Sequence, residues 1–444
     1  MLNVAQRPNQ EITSRAAVAV PALVIVLLLT VFATQAALAQ FNVIHAFTGA
    51  ADGRYPYSGL TIDRGGNLYG TTFYGGATND GVVYKLAPAG SSWIFSPLYS
   101  FQAGSDGAYP YASLTIGPDG ALYGTTYGGG GSGCGYGCGT VFRLTPPASS
   151  CKTAICSWSE TVLYRFSGGA DGRAPHSGVV FDQAGNLYGT TVFGGATSCN
   201  NGNGCGVVYE LTRSNGGWTQ SVPYSFAGGN DGMLPYSGVT VDPAGNLYGT
   251  TSEGGPYGQG TVYQLTPSGS GWAEKLLYSF TGGTDGAAPY GGLNFDSFGN
   301  LYGTASGGGS GGLGLMGIAP PVATGGTAFE LSPAGGSWTF ALIYTFTESG
   351  GGGLGPYANL IMDSAGNLYG AAGGGGLPPG YDGTIFELSP ANGSWTYTSL
   401  HQFTGGSDGE DPFCALVFDA AGNLYGTATY AGAYGNGVVY QITP

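Results

Sequence analysis

The tetrapeptide Asn67-Leu68-Tyr69-Gly70 recurs at Asn186, Asn246, Asn300, Asn367 and Asn423, and once more as Ala121-Leu122-Tyr123-Gly124. These seven copies stand 54 to 67 residues apart and organise the chain from residue 41 onward. Self-similarity at such a period signals stacked or radially arranged supersecondary units. In the first unit, four short stretches are rich in β-branched and aromatic residues: Gly59–Ile62, Leu68–Thr72, Val82–Leu86 and Pro97–Phe101. Each reads as a strand. Asp63-Arg64-Gly65-Gly66-Asn67 separates the first two and reads as a tight turn, with glycine available for a positive φ. Four antiparallel strands repeated seven times predict an all-β chain, a seven-bladed β-propeller.

The two ends test that expectation. Val43-Ile44-His45-Ala46-Phe47 matches the fourth strand of a unit, whereas Val438-Val439-Tyr440-Gln441-Ile442 matches the third. An N-terminal fourth strand would complete the last blade, close the ring and pair two otherwise exposed edges. A linear solenoid has no use for that permutation. Composition agrees. The 88 Gly and 25 Pro make up about a quarter of the 444 residues, a level at which disorder is suspected. Yet 42% of residues are hydrophobic and 13% aromatic, enough to offset the entropy of ordering. Long helices are excluded, because each interior Gly costs a helix about 1 kcal/mol. The glycines read instead as the turns of many short strands.

Charged residues are scarce, at 8%, and acidic ones dominate, giving a formal net charge of −14. No basic stripe is present, so nucleic acid and anionic membrane surfaces are excluded as partners. Arg7 and Arg15 precede an apolar run from Ala16 to Ala33, and Ala37-Leu38-Ala39 follows as a small-x-small site. Residues 1–39 therefore read as a secretory signal peptide. The run, about 18 residues, is also long enough for an uncleaved signal anchor, the one route to a membrane in this reading. Six of the seven cysteines form close pairs, Cys134 with Cys138, Cys151 with Cys156, and Cys199 with Cys205. In an exported chain these read as local disulfides. A zinc site is the alternative, but the pairs lie in different repeats without His beside them. Cys414 is left over within a strand and reads as a buried thiol.

The D-x-x-G-N-L-Y-G-T-T core and the following G-x-V-Y resemble the GloVer tandem repeat, found in the choice-of-anchor group of exported bacterial proteins. The resemblance spans nearly all of residues 41–444. It implies export and repeat architecture, and it implies no activity or catalytic residue. Members typically carry a sorting or anchoring tail. This chain reaches Pro444 directly after a strand, so no C-terminal anchor is expected. Two units depart from the pattern: Gly117 and Ala121 replace Asp and Asn in the second, and the sixth lacks an Asp-Gly.

Several repeated positions are candidates for chemistry. The residue after Pro in each segment leading to an innermost strand is Tyr57, Tyr111, His176, Tyr236, Tyr290, Tyr357 or Phe413. A propeller would arrange these seven rings around the mouth of its channel, where aromatic faces can stack on sugars. Packing between blades is the competing reading. The same segments carry Asp52, Asp106, Asp171, Asp231, Asp285 and Asp408. These could ring the face and bind calcium or sugar hydroxyls, or serve as Asp-Gly turns whose side chains bond the backbone two residues on. Asp63, Asp182, Asp242, Asp296, Asp363 and Asp419 open the hairpin turns and read as structural. Trp93, Trp158, Trp218, Trp272, Trp338 and Trp395 keep a fixed offset from the fourth-strand Tyr or His and read as packing. The loop between second and third strands varies most, expanding at Ala305–Gly325, and shares a face with the ring residues. Tyr74, Tyr127, Phe193, Tyr257 and Tyr430 are its candidate contacts.

No H-E-x-x-H, G-x-S-x-G or P-loop is present, and His45 and His401 fill the fourth-strand place of Tyr99. The expectation is an exported, monomeric, non-catalytic scaffold that binds a glycan or protein ligand through its loop face. A polysaccharide hydrolase or lyase with acidic residues at the channel mouth is the alternative. A surface protein without ligand is a third.

Overall fold

The computed structural model describes residues 39–131, 133–147, 158–197, 199–214, 217–269, 271–308, 325–347, 353–374 and 382–444. The N-terminal 1–38, the Cys151–Cys156 pair and most of the expanded 305–325 loop lie outside the described residues.

Seven four-stranded sheets form a seven-bladed β-propeller. In the first blade the strands run Thr61–Ile62, Leu68–Thr72, Val82–Ala89 and Ser92–Ser100, innermost to outermost, each antiparallel to the next. The remaining blades repeat this order, and the seventh joins Val417–Phe418, Leu424–Ala428 and Val438–Thr443 to Gln40–Ala46. The N-terminal strand is thus the outermost strand of the last blade, pairing Phe41 with Ile442 and His45 with Val439.

Three strand lengths differ from the sequence expectation, the third strand running on to Ala89 to meet Ser92 across the hairpin. The innermost strand is only Thr61–Ile62, because the Ser58 hydroxyl, donating to the Thr71 carbonyl and accepting from Thr71 N–H, takes the place of further backbone pairing. The outermost strand begins earlier, at Ser92, since its hairpin register carries Trp93 opposite Pro88.

Burial follows position in the blade. All five residues of the second strand are buried, whereas the outermost alternates with solvent. Gly70 pairs with Tyr84 across the second and third strands, and the Tyr84 ring covers the place of the missing side chain. Between blades, one ring contact recurs seven times. Phe101 of blade 1 meets Phe142 of blade 2 at 5.1 Å, and Phe47, after the N-terminal strand, meets Tyr84 at 5.3 Å. The five other interfaces repeat the contact at 4.9–5.4 Å. Edge-to-face pairs of this kind add about 0.5–1.5 kcal/mol each beyond area burial. Five tryptophans pack on the preceding blade's repeated Tyr, as with Trp93 on Tyr425 and Trp272 on Tyr188, and Trp218 packs against the cluster that holds Tyr123 and Leu187.

Hydroxyls also stitch blade to blade. Thr427 Oγ1 donates toward the Pro56 and Ser58 carbonyls, latching blade 7 to blade 1. Thr125, Thr190, Thr250 and Thr304 repeat the latch, and blade 6 has Ala371 in that place. Disulfides join Cys134 to Cys138 and Cys199 to Cys205, and Cys414 is a buried free thiol hydrogen-bonded to Thr427. These bonds are consistent with an exported protein.

Candidate functional site

Each blade delivers its ring residue to the channel by the same device. Tyr55, two residues ahead of Tyr57, holds φ at 57°. Its N–H donates to the Asn436 carbonyl of the preceding blade, and its carbonyl accepts from Phe73 N–H of its own. Tyr109, Ala174, Leu234, Ala288 and Asp411 hold the same left-handed conformation, and glycine fills the position only in blade 6, at Gly355. The chain is thereby turned inward before the proline, and the following side chain faces the axis.

The seven rings form a collar. Tyr57 and Tyr111 stack at 4.8 Å, Tyr111 and His176 lie at 3.8 Å, and His176 meets Tyr236 edge-on at 5.1 Å. Tyr290 follows at 5.0 Å, Tyr357 at 5.7 Å and Phe413 at 5.4 Å. Tyr430 joins the series to Tyr57 through a hydroxyl–hydroxyl hydrogen bond. All seven, with Phe73, Tyr74 and Tyr430, line a cavity of about 720 Å³. It continues past the collar along Leu114, Val179 and Val239 of the segments entering the innermost strands. Stacking against each other and facing the channel are therefore not alternatives here, since the same rings do both.

Among the described residues the cavity wall carries no charged side chain: its polar groups are hydroxyls, Asn359, the Cys414 thiol, backbone and His176. Burial holds His176 down to about 3, against a hydrogen bond with the Tyr236 backbone that raises it, so the imidazole is neutral at physiological pH. Burial likewise pushes up the Tyr57 and Tyr111 hydroxyls.

The six repeated carboxylates sit elsewhere. Asp106 accepts from Tyr99 Oη at 2.9 Å and Gln102 N–H at 3.0 Å, and Asp171, Asp231 and Asp285 bind their fourth-strand tyrosines in the same way. Asp52 and Asp408 face His45 and His401 instead. Asp52 also accepts from Thr48 N–H, so these side chains reach back four residues rather than forward two. None of the six lines the cavity. Their oxygens are committed to holding the outermost strand against the loop. Among the described residues, no group of three or more His, Cys, Asp or Glu converges as a metal site. Of the loop candidates, Tyr74 and Tyr430 reach the cavity, Tyr127 meets His176 edge-on at 6.5 Å, Phe193 lies under Arg173, and Tyr257 is exposed.

The acid that does approach the mouth is Asp411, which sequence reasoning missed. Its carbonyl accepts from the N–H groups of Phe413 and Thr429, beside the lining residues Phe413 and Tyr430, and burial and then the Asp411 carboxyl push the Tyr357 and Tyr430 hydroxyls up. Burial, with Glu410 and Asp382 nearby, raises Asp411 itself to about 7. Aligning the units shows it as the one acid in the column of Tyr55 and Tyr109. Glu253 is similarly raised by burial and acts on Tyr236.

Among curated proteins, none matches the chain. Similar solved structures include a gluconolactonase from Xanthomonas campestris, at 13% identity and a TM-score of 0.41, covering 91% of this chain and 89% of that one. Another is an ulvan lyase of polysaccharide lyase family 25, at 10% identity and a TM-score of 0.47, covering 90% and 95%. The Gloeobacter/Verrucomicrobia repeat model matches residues 30–202, 193–316 and 317–444. With the repeated core now placed on the second and third strands of every blade, the chain belongs to the Gloeobacter/Verrucomicrobia repeat family.

Proposed function

We propose that the protein is an exported, non-catalytic binding module whose ligand is a glycan held at the channel mouth. The collar carries this reading: six aromatic rings and one neutral imidazole face a single cavity of about 720 Å³. That volume lies in the range of small-molecule sites, and flat apolar rings beside fixed hydroxyls and backbone groups match the faces and edges of a pyranose. The Tyr57–Tyr430 hydrogen bond and the stacking within the collar hold the rings in place before a ligand arrives, which lowers the ordering cost of binding. Export rests on the N-terminal segment and accords with the two disulfides.

A glycan array probed with residues 40–444 tests the reading, with a Tyr57→Ala/Tyr236→Ala/Tyr290→Ala variant as control. Binding by the wild type that falls at least tenfold in the variant is expected, since each lost stacking ring costs about 1 kcal/mol. A blank array for both proteins would remove the glycan. Intact mass after export checks cleavage at residue 39, and activity assays on whatever glycan binds check the absence of turnover.

A further inference from the structure

The collar is close to symmetric, but its rim is not. In the column preceding the proline, Tyr55 stands edge-on to Tyr430 at 5.1 Å, and Tyr109 stacks on Phe73 at 5.1 Å. These two blades thus extend the aromatic wall outward. Blade 7 places a carboxyl in the same column, at Asp411, and in blade 4 Glu253 bridges Met233 at the place that Tyr74 and Tyr430, both lining the cavity, hold in blades 1 and 7. Two guanidiniums stand in the neighbouring column: Arg54 lies over the Tyr55 and Tyr74 rings at 5.4 and 5.1 Å with Nη2 bonded to Asn79 Oδ1, and Arg173 lies over Phe193 at 5.0 Å with Nη2 bonded to Asn203 Oδ1. A ligand entering the cavity therefore meets an uncharged wall beneath an acidic rim, on a chain whose net charge is −14.

Resting on the glycan reading above, we infer that this site takes uncharged sugars and rejects uronate or sulfated ones, and that Asp411 at the rim is a residue that sets this selection. A neutral ring loses nothing on entering a wall of hydroxyls and aromatic faces. An anionic sugar gives up its hydration with no cation in the described cavity wall to replace it, and it does so below the Asp411 carboxyl. Asp411 holds φ at 56°, its N–H donates to the Asp382 carbonyl and its own carbonyl accepts from Thr429 N–H, so the backbone fixes where the carboxyl stands. Glu410, Asp382, Tyr357 and Tyr430 are the titratable groups around it, and none supplies a positive charge. Asparagine tolerates the left-handed conformation, which makes Asp411→Asn a change of charge with little change of fold.

The test is calorimetric titration of residues 40–444 at pH 8 with cellohexaose, mannohexaose and xylohexaose against hexagalacturonate. At least tenfold tighter binding of the best neutral hexasaccharide is expected. Asp411→Asn should narrow the gap by about threefold to tenfold, and 0.5 M NaCl should narrow it in the wild type, because screened like charges repel less. Hexagalacturonate binding as tightly as the neutral sugars, or a gap unmoved by Asp411→Asn in a variant of unchanged melting temperature, would overturn the inference and leave glycan binding standing. Binding of neither class, repeated on the array, removes the glycan reading and this inference together.

Discussion

Gly70 shows how a single residue type is dictated by its neighbour. A Cβ there would lie 2.5 Å from Tyr84 Oη and 2.6 Å from its Cζ, with Leu60 at 3.0 Å on the other side. No side chain fits without displacing a ring that is fully buried. Gly70→Ala is expected to cost about 1–3 kcal/mol, as overpacking of a closed core does; a loss under 0.5 kcal/mol in urea titration would show that the strand pair opens freely. The partner ring has a cost of its own. The hydroxyls of Tyr84, Tyr209, Tyr263 and Tyr440 are buried without a hydrogen-bond partner among the described residues, while Phe142, Phe329 and Phe386 fill the same place in other blades. An unmade buried hydrogen bond costs about 1–3 kcal/mol. Tyr209→Phe should therefore stabilise by about 1 kcal/mol, and a destabilised variant would mean that the hydroxyl has found a partner.

At the level of the strand and its turn, the second set of aspartates behaves as the sequence suggests. Asp63 accepts from Gly65 and Asn67 N–H, Asn67 Nδ2 and Tyr69 Oη. Burial raises its pKa, but these bonds outweigh that effect and hold the carboxyl below its ordinary value, as at Asp363 and Asp419. A depressed carboxylate adds stability above its unfolded pKa of about 4, and that stability is lost as pH falls through the folded value. Melting temperature should thus drop below pH 4, and Asp363→Asn should lower it at pH 7 while flattening its acid dependence. Glu160 acts in the opposite sense. Burial and then Asp106 raise it to about 7 against a weaker lowering by Arg165. Its folded value exceeds the unfolded one, so its contribution is complete below about pH 4 and is lost as pH rises toward 7. Glu160→Gln should stabilise at pH 8, by about 1 kcal/mol after discounting for its half-exposed position, and leave pH 4 unchanged. Equal effects at the two pH values would exclude the charge as the cause.

For the whole molecule, closure carries the fold. At the junction of blades 7 and 1 the Phe47–Tyr84 contact repeats the ring pair of the other interfaces, and the Thr427 latch joins residues 371 positions apart in sequence. Deleting residues 40–46 would expose the Val438–Thr443 edge, so loss of cooperative unfolding and self-association on size-exclusion chromatography are expected. A monomeric, cooperatively melting deletion variant would show that the ring holds without its clasp. Blade number, strand order and the placing of rings at the channel were legible in the sequence, because each repeats seven times and a repeated position must occupy equivalent surroundings, and closure was legible because Val43–Phe47 matches a fourth strand. The six Asp-Gly carboxylates could not be assigned that way: repetition says that they share a role, and only the packed outermost strand shows the Tyr or His that claims each one. The left-handed column of Tyr55 and Asp411 was hidden for a related reason. Its conformation is imposed by hydrogen bonds from neighbouring loops rather than by residue type, so chemically unlike side chains occupy it. By itself the sequence determined a closed ring of seven blades, since local periodicity and the matching ends admit one arrangement. Only the tertiary structure decided which groups face the cavity and which acid stands at its rim, because contacts between residues of different blades set them.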